Sequence, residues 1–335
     1  MARTIVMIHP GGLGDVFLAV PAIIRLRNRF PSHLLVLWAE AQAARLLVAC
    51  GVVDAWAPVQ GLVCADLFVG ESQPTGKAKS WFEQCDLAVA WMKDLDGKVS
   101  RTLTANGAKK VLVESPFSSR LQATHQRDRF LEAIDEAPSH GDQDVLLRVT
   151  EPVYQLGRAC LEEPGLSPEE RLVVIHPGSG SAHKCVSPET MASVVSVVEN
   201  RGAIPVLLEG PADREPVERL LRVCVNQPMV LQGLDLLAIA GILAQSHFYI
   251  GQDSGVTHLA ALMGTPTVAL FGPTDPDRWA PQGPHVTVIQ GRICQCKSWG
   301  EVSRCREKPC LEVPRGHLTG VCLAYLNSTL SLTSL

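Results

Sequence analysis

The chain has 335 residues, 46% hydrophobic and 19% charged, with a formal net charge of −4. That length suits two domains, and that composition excludes a disordered chain. Charges of both signs balance in each half without a basic stripe, which argues against nucleic acid as a partner. Residues 4–9 read as a strand, 16–29 as a helix, 33–39 as a strand and 41–50 as a helix. The apolar segments that start at Asp86 and Lys110 read as two further buried strands. Strands alternating with helical patterns predict βαβ units on a parallel sheet. Residues 114–150 are polar, with a charge run from Gln126 to Arg129, and show no clear period. Around Glu162, Pro164, Gly165 and Pro168 lies the clearest linker signal.

After the linker the alternation restarts. Strands are predicted at 172–176, 204–209, 229–231, 247–251 and 267–271, the last closing the series. Helices are predicted at 188–200, 213–223, 234–243 and 254–263. The two halves begin alike: Ile8-His9-Pro10-Gly11-Gly12 is echoed by Ile175-His176-Pro177-Gly178-Ser179-Gly180. The fold class is therefore α/β, with two doubly wound domains, residues 1–160 and 161–318. Ligands are expected in the cleft outside the carboxyl ends of both sheets. No apolar run is long enough to span a membrane and no secretory pattern opens the chain, so the expected location is the cytoplasm.

The first glycine loop, Gly11-Gly12-Leu13-Gly14-Asp15, has the outline of a dinucleotide fingerprint. Phe17 stands at the third glycine position, however, and Asp15 would set a carboxylate where pyrophosphate needs unpaired N–H groups. Two roles are open to Asp15: a helix N-cap, or a carboxylate available as a general base. Gly11, Gly12 and Gly14 would let another molecule approach the backbone closely.

The second half carries the better anion site. A strand ends at Asp253, and Ser254-Gly255-Val256-Thr257-His258 opens a helix. With Asp253 as the cap, Ser254, Gly255 and Val256 would offer backbone N–H groups to a diphosphate. His258 would either orient this loop or face the ligand. Lys184, after the second glycine loop with Ser179, would neutralise charge on a phosphate leaving group; otherwise it is a solvated lysine. Glu209 and Glu215 flank the turn Gly210-Pro211-Ala212-Asp213-Arg214, and one of them could hold ribose hydroxyls.

Eleven cysteines are present, and Cys294, Cys296, Cys305 and Cys310 are spaced C-x-C-x8-C-x4-C. A structural zinc is one reading. The reading adopted is reduced, partly exposed thiols on a loop, and no residue is assigned as a metal ligand.

Taken together, Gly14-Asp15 with Pro21-Ala22, His176-Pro177-Gly178-Ser179-Gly180, Lys184, the 210–215 turn, Asp253 to Ala261, Gly264-Thr265-Pro266 and Leu270-Phe271-Gly272-Pro273-Thr274 resemble glycosyltransferase family 9, the lipopolysaccharide heptosyltransferases. The resemblance spans nearly the whole chain. It implies the GT-B fold, two Rossmann-like domains facing across a cleft, with residues 319–335 forming a helix that returns to the first domain. It implies an inverting, metal-independent transfer, without a cofactor, of heptose from ADP-heptose to lipopolysaccharide core or a related glycan. Asp15 would be the catalytic base and Lys184 the donor-phosphate contact. Ser179, Glu215, Asp253, Ser254, Gly255, Val256 and His258 would bind the donor, and Gly11, Gly12 and Gly14 would form the acceptor-side loop. The implied partners are a nucleotide sugar and a lipid-linked or glycan acceptor, with peripheral contact at the cytoplasmic face of the inner membrane. Where the family often has tryptophan shortly after the lysine, this chain has Cys185-Val186-Ser187. The first-domain segments 61–80 and 114–130 match no motif. The alternatives are a sugar-nucleotide epimerase or hydrolase of the same architecture, a family relative using another sugar or acceptor, a binding module with a vestigial site, and an NAD-dependent enzyme.

Overall fold

The computed structural model describes residues 2–59, 76–115, 124–139, 141–142, 145–167 and 169–328. The chain divides into two compact units, Met1–Val145 and Leu146–Leu335.

The first unit holds a parallel sheet of β1 (Thr4–Ile8), β2 (Leu34–Ala39), β3 (Ala55–Pro58), β4 (Cys85–Ala90) and β5 (Lys110–Val113), in the order β3-β2-β1-β4-β5. All of β1 is buried, and its neighbours are near-continuous apolar runs, as strands covered on both faces must be. The helix expected over 16–29 is two helices, α1 (Leu13–Leu18) and α2 (Val20–Arg29). Pro21 is the physical reason: it has no N–H to donate to the carbonyl of Phe17, so the first helix stops and a second starts. Helices α3 (Ala41–Ala49), α4 (Gly76–Glu83), α5 (Lys98–Ala105) and α6 (Gln126–Glu132) follow. The polar run in α6 faces inward: Gln126 and Arg129 are buried, 0% and 3% exposed. Of the unmatched segments 61–80 and 114–130, residues 61–75 and 116–123 lie outside the described residues.

The second unit starts earlier than its linker composition suggests. Helix α7 (Glu151–Glu162), expected with the first half, packs on α10 (Leu236–Leu243) of the second. The two meet backbone to backbone, since a Cβ on Gly157 would fall 2.2 Å from the carbonyl carbon of Gly241. The turn at 163–165 after it thus lies inside the second unit, ahead of β6 (Leu172–His176). The sheet comprises β6, β7 (Ile204–Glu209), β8 (Met229–Gln232), β9 (Phe248–Gln252), β10 (Thr267–Phe271) and β11 (Val286–Gln290). Its order, β11-β10-β9-β6-β7-β8, is the Rossmann order, with the switch point between β6 and β9. Strand β11 was not expected; it pairs in parallel with β10 as an edge whose residues are mostly half-exposed. The remaining helices are α8 (Pro188–Asn200), α9 (Arg214–Leu221), α11 (Gly255–Leu262), α12 (Pro276–Trp279), α13 (Trp299–Arg304) and α14 (Arg315–Asn327).

The tail helix α14, expected to return to the first domain, buries Leu318, Cys322 and Leu326 in the core of the second unit. Its Tyr325 ring stacks on Phe248 at 5.7 Å, and the tyrosine hydroxyl lies 2.9 Å from Thr287 Oγ1. Residues 329–335 lie outside the described residues. Among the described residues, no helix is long and apolar enough to cross a membrane.

Candidate active site

In each unit the predicted site residues sit in the loops that leave the central strands at the switch point, where open α/β sheets bind ligands. In the first unit β1 runs into His9, which is 1% exposed. Burial lowers the His9 pKa to about 4, so the imidazole is neutral. Its Nδ1 accepts the Gly11 N–H at 3.1 Å and shapes the loop. Asp15 is not the cap of α1. Gly12 is, and Asp15 stands three residues in, its carboxylate accepting the Gly12 N–H at 3.1 Å. A Cβ on Gly11 would lie 2.7 Å from Asp15 Cβ and 2.7 Å from His9 Cε1. The absent side chain therefore makes room for Asp15 itself. Gly12 faces open space and is exposed. Gly14 is part of the first turn of α1 and is half-exposed.

The second unit assembles more. His176, at the end of β6 and 4% exposed, joins two elements: its Nε2 lies 2.9 Å from Asp213 Oδ2 and its Nδ1 3.2 Å from Ser254 Oγ. Asp213 also accepts the Gly210 N–H at 3.0 Å. Burial alone would raise the Asp213 pKa, but the hydrogen bond and charge of His176, with the Gly210 N–H, hold it below the usual carboxylate range. Gly178 is required by close approach, because a Cβ there would fall 1.9 Å from Asp213 Oδ1.

The cap of α11 is Ser254, not Asp253. The N–H of Asp253, just past β9, still bonds the Leu270 carbonyl of β10 at 3.0 Å, so the cap falls one residue later. Ser254 Oγ accepts the Thr257 N–H at 3.4 Å and lies 3.1 Å from Thr257 Oγ1, which in turn meets the buried Tyr249 hydroxyl at 2.9 Å. Gly255 and Val256 are the first two residues of an eight-residue helix, with no carbonyl one turn back for their N–H groups. Both are half-exposed, so the helix terminus can receive an anion.

Lys184 closes this corner from a 3-10 turn, Ala182–Lys184, whose Ser181 cap accepts the His183 N–H at 3.3 Å. Its Nζ lies 2.7 Å from Asp253 Oδ2 and 5.9 Å from the ring centroid of Trp299 on α13. Asp253 is thereby neutralised beside the helix terminus. Ser179 donates to the Asp253 carbonyl at 2.5 Å and ties the glycine loop to the same strand end. His258 is buried on α11, one turn after Ser254. A cavity of about 360 Å³ adjoins the loop, lined among others by Ser179, Glu215, Arg219, Arg306 and Lys308.

Residues 116–310, more than half of the chain, match the sequence model of glycosyltransferase family 9 (heptosyltransferase). The chain belongs to glycosyltransferase family 9. It is 32% identical over 142 residues to lipopolysaccharide heptosyltransferase 3 of Escherichia coli K12, a match covering 41% of each protein, less than half of that relative's length. In structure it is similar to a family 9 glycosyl transferase from Veillonella parvula, with TM-score 0.77, 18% identity and 97% of each chain covered. It is also similar to ADP-heptose lipopolysaccharide heptosyltransferase II of E. coli, with TM-score 0.71 and 18% identity, covering 97% of this chain and 98% of that one. The fold is therefore GT-B.

Against this family frame the second unit brings together Ser179, Lys184, Asp253, Ser254, Gly255 and Val256, and sets His258 one turn along α11. Glu215 stands apart from them, lining the cavity, and Glu209 ends β7 half-exposed. Sequence reasoning passed over four contributors. His176 and Asp213 lay inside quoted motifs but were given no role. Gly178 gave only the generic signal of a glycine loop. Trp299 gave none, since it reaches Lys184 from 115 residues away; it supplies an indole beside the lysine.

Proposed function

We propose that this chain is an inverting glycosyltransferase that moves heptose from ADP-heptose to a hydroxyl of lipopolysaccharide core or a related glycan, without metal or cofactor in the transfer step. The observation that carries the reading is the Ser254-capped start of α11 with Lys184 beside it, at the switch point of the second sheet. Backbone N–H groups at a helix start and one lysine suit a departing nucleoside diphosphate. The Lys184 and Asp253 pair is neutral as it stands, so the amides of Gly255 and Val256 give the first attraction, and the donor diphosphate then recruits the lysine.

In the first unit Asp15 would take the proton of the acceptor hydroxyl. The acceptor oxygen forms its bond to the anomeric carbon from the face opposite the bond to the β-phosphate oxygen. That bond breaks, and its electron pair leaves on ADP. A positioned base is worth ~10²–10⁴-fold in rate. The Gly12 N–H on the Asp15 carboxylate fixes its direction. Glu215, on the cavity wall, is assigned to the donor ribose. The acceptor is lipid-linked or a glycan, and the reaction is placed on the cytoplasmic face of the inner membrane.

Thermal shift with ADP-, UDP- and GDP-sugars tests the donor. Stabilisation by ADP and ADP-heptose is expected; a response to NAD alone refutes the reading. Asp15→Asn should keep ADP affinity and lose transfer, and surviving transfer would return Asp15 to a purely structural role.

A further inference from the structure

The segment that follows β11 does not hold together by apolar burial. From 291 to 310, only Val302 and Cys310 are buried, and Ile293 is 89% exposed. Yet three cysteine sulfurs converge there, with a fourth cysteine close in sequence. The sulfurs of Cys294, Cys296 and Cys305 all lie within 4.8 Å of one another, and Cys310 follows five residues after Cys305. Three come from the loop and the fourth from the edge of the core, where Cys294 also packs. The backbone is built for this approach. Gly291 and Arg292 donate to the carbonyls of Cys310 and Pro309, each at 3.0 Å, and a Cβ on Gly291 would fall 2.6 Å from the Pro309 oxygen. Ser298 caps α13 between the second and third cysteines, and Glu301 accepts the Lys297 N–H at 2.9 Å.

We propose that Cys294, Cys296, Cys305 and Cys310 bind one thiophilic metal ion, zinc or iron, in tetrahedral sulfur coordination. Metal–sulfur bonds of ~2.3 Å place tetrahedral ligand sulfurs ~3.8 Å apart, within the spread of the three grouped sulfurs. Four sulfurs from one short segment are the donor set such ions select. Lys297 stands next in sequence to Cys296, and Arg304 and Arg306 flank Cys305, so they offset the negative charge of a tetrathiolate. The metal would act as a clip in a loop too polar to fold on its own core.

The clip has a consequence for the donor site, and this part rests on the function proposed above. Helix α13, between Cys296 and Cys305, carries Trp299 to Lys184, and the stretch between Cys305 and Cys310 carries Arg306 and Lys308 to the cavity wall. Metal loss should therefore weaken ADP binding about three- to fivefold, the worth of a cation–π contact, while leaving the fold of the second sheet.

The test is elemental analysis of the full chain purified in reducing buffer and dialysed against a mild chelator. One zinc or one iron per chain is expected, and which of the two is found decides the ion. Cys305→Ser and Cys310→Ser should lose it, and Cys160→Ser should keep it. Because those variants could misfold, wild-type protein stripped under acid and refilled with cobalt(II) gives a second readout: tetrahedral d–d bands and sulfur charge-transfer absorption at one equivalent. Four titratable thiols with metal below a tenth of an equivalent, or disulfides among these cysteines in freshly reduced protein, would overturn the site. A bound metal with unchanged ADP affinity after stripping would leave the site standing and remove only its link to the donor.

Discussion

Gly178 and Gly180 lie two residues apart in one loop, and the same substitution should destabilise at the first and be neutral at the second. An alanine Cβ at 178 would lie 1.9 Å from Asp213 Oδ1 and 2.4 Å from its Cγ. A close carbon–oxygen contact is about 3.3 Å, so the carboxylate must retreat by roughly 1.4 Å. Its bonds to His176 and Gly210, at 2.9 and 3.0 Å, cannot stretch that far and survive. A hydrogen bond to a charged group contributes about 1.5–3 kcal/mol, so Gly178→Ala should cost about 3 kcal/mol after partial relaxation. At Gly180 no atom lies within 4 Å of the added carbon, and Gly180→Ala should fall within about 0.5 kcal/mol of wild type. Urea unfolding followed by fluorescence measures both. Calorimetry with ADP should show weakened binding only for Gly178→Ala, since a displaced Asp213 releases His176 and with it Ser254. Equal stability of the two variants would refute the packing argument. A destabilised Gly178→Ala with wild-type ADP affinity would refute the link from His176 to the helix terminus.

Lys184→Gln should cut ADP affinity at least tenfold and also destabilise the protein, because it leaves Asp253 buried without a countercharge; adding Asp253→Asn should restore the melting temperature but not the affinity. Asp86, in the first unit, is opposed by burial but receives His33, Arg3 and Lys109, which bring its pKa down to about 2. The unfolded chain therefore takes up the proton first. The contribution of Asp86 is complete above about pH 4 and fades as pH falls towards 2, and Asp86→Asn should flatten the acid limb of a stability-against-pH curve. Gly157→Ala should lower the melting temperature by forcing α7 off α10, with the first unit's unfolding unchanged.

The strands and most helices of both units were legible because parallel strands covered on both faces are written as unbroken apolar runs, as in Thr4–Ile8 and Leu172–His176. Strand β11 was not, because Val286 and Thr287 are half-exposed and its sequence lacks that density. The charge run in α6 concealed a buried face, since Gln126 and Arg129 satisfy no apolar period. The division of the chain was misplaced because Pro164 and Gly165 mark any turn equally well, whereas what assigns α7 to the second unit is a contact between Gly157 and Gly241. Contacts between residues far apart in sequence are the part a local pattern does not carry. His176 with Asp213 and Ser254, and Lys184 with Trp299, are of the same kind.

The two glycine loops show how like sequences come to hold opposite charge. Both leave the first strand of their sheet through His-Pro-Gly, and in both the histidine is buried. In the first, His9 is stripped of charge by burial and its Nδ1 bonds its own loop, and the carboxylate of Asp15 sits at the start of a helix of six residues with the Gly12 N–H upon it. In the second, His176 spends both ring nitrogens on other elements, Asp213 and Ser254, and the loop is free to run on to Lys184. The helix start at Gly255 is then flanked by a lysine, and its nearest carboxylate, Asp253, is already paired. In the function proposed above, the second arrangement would receive the donor diphosphate and the first the acceptor hydroxyl. That proposed division of labour would follow from where each histidine's hydrogen bonds go, not from the glycines the loops share.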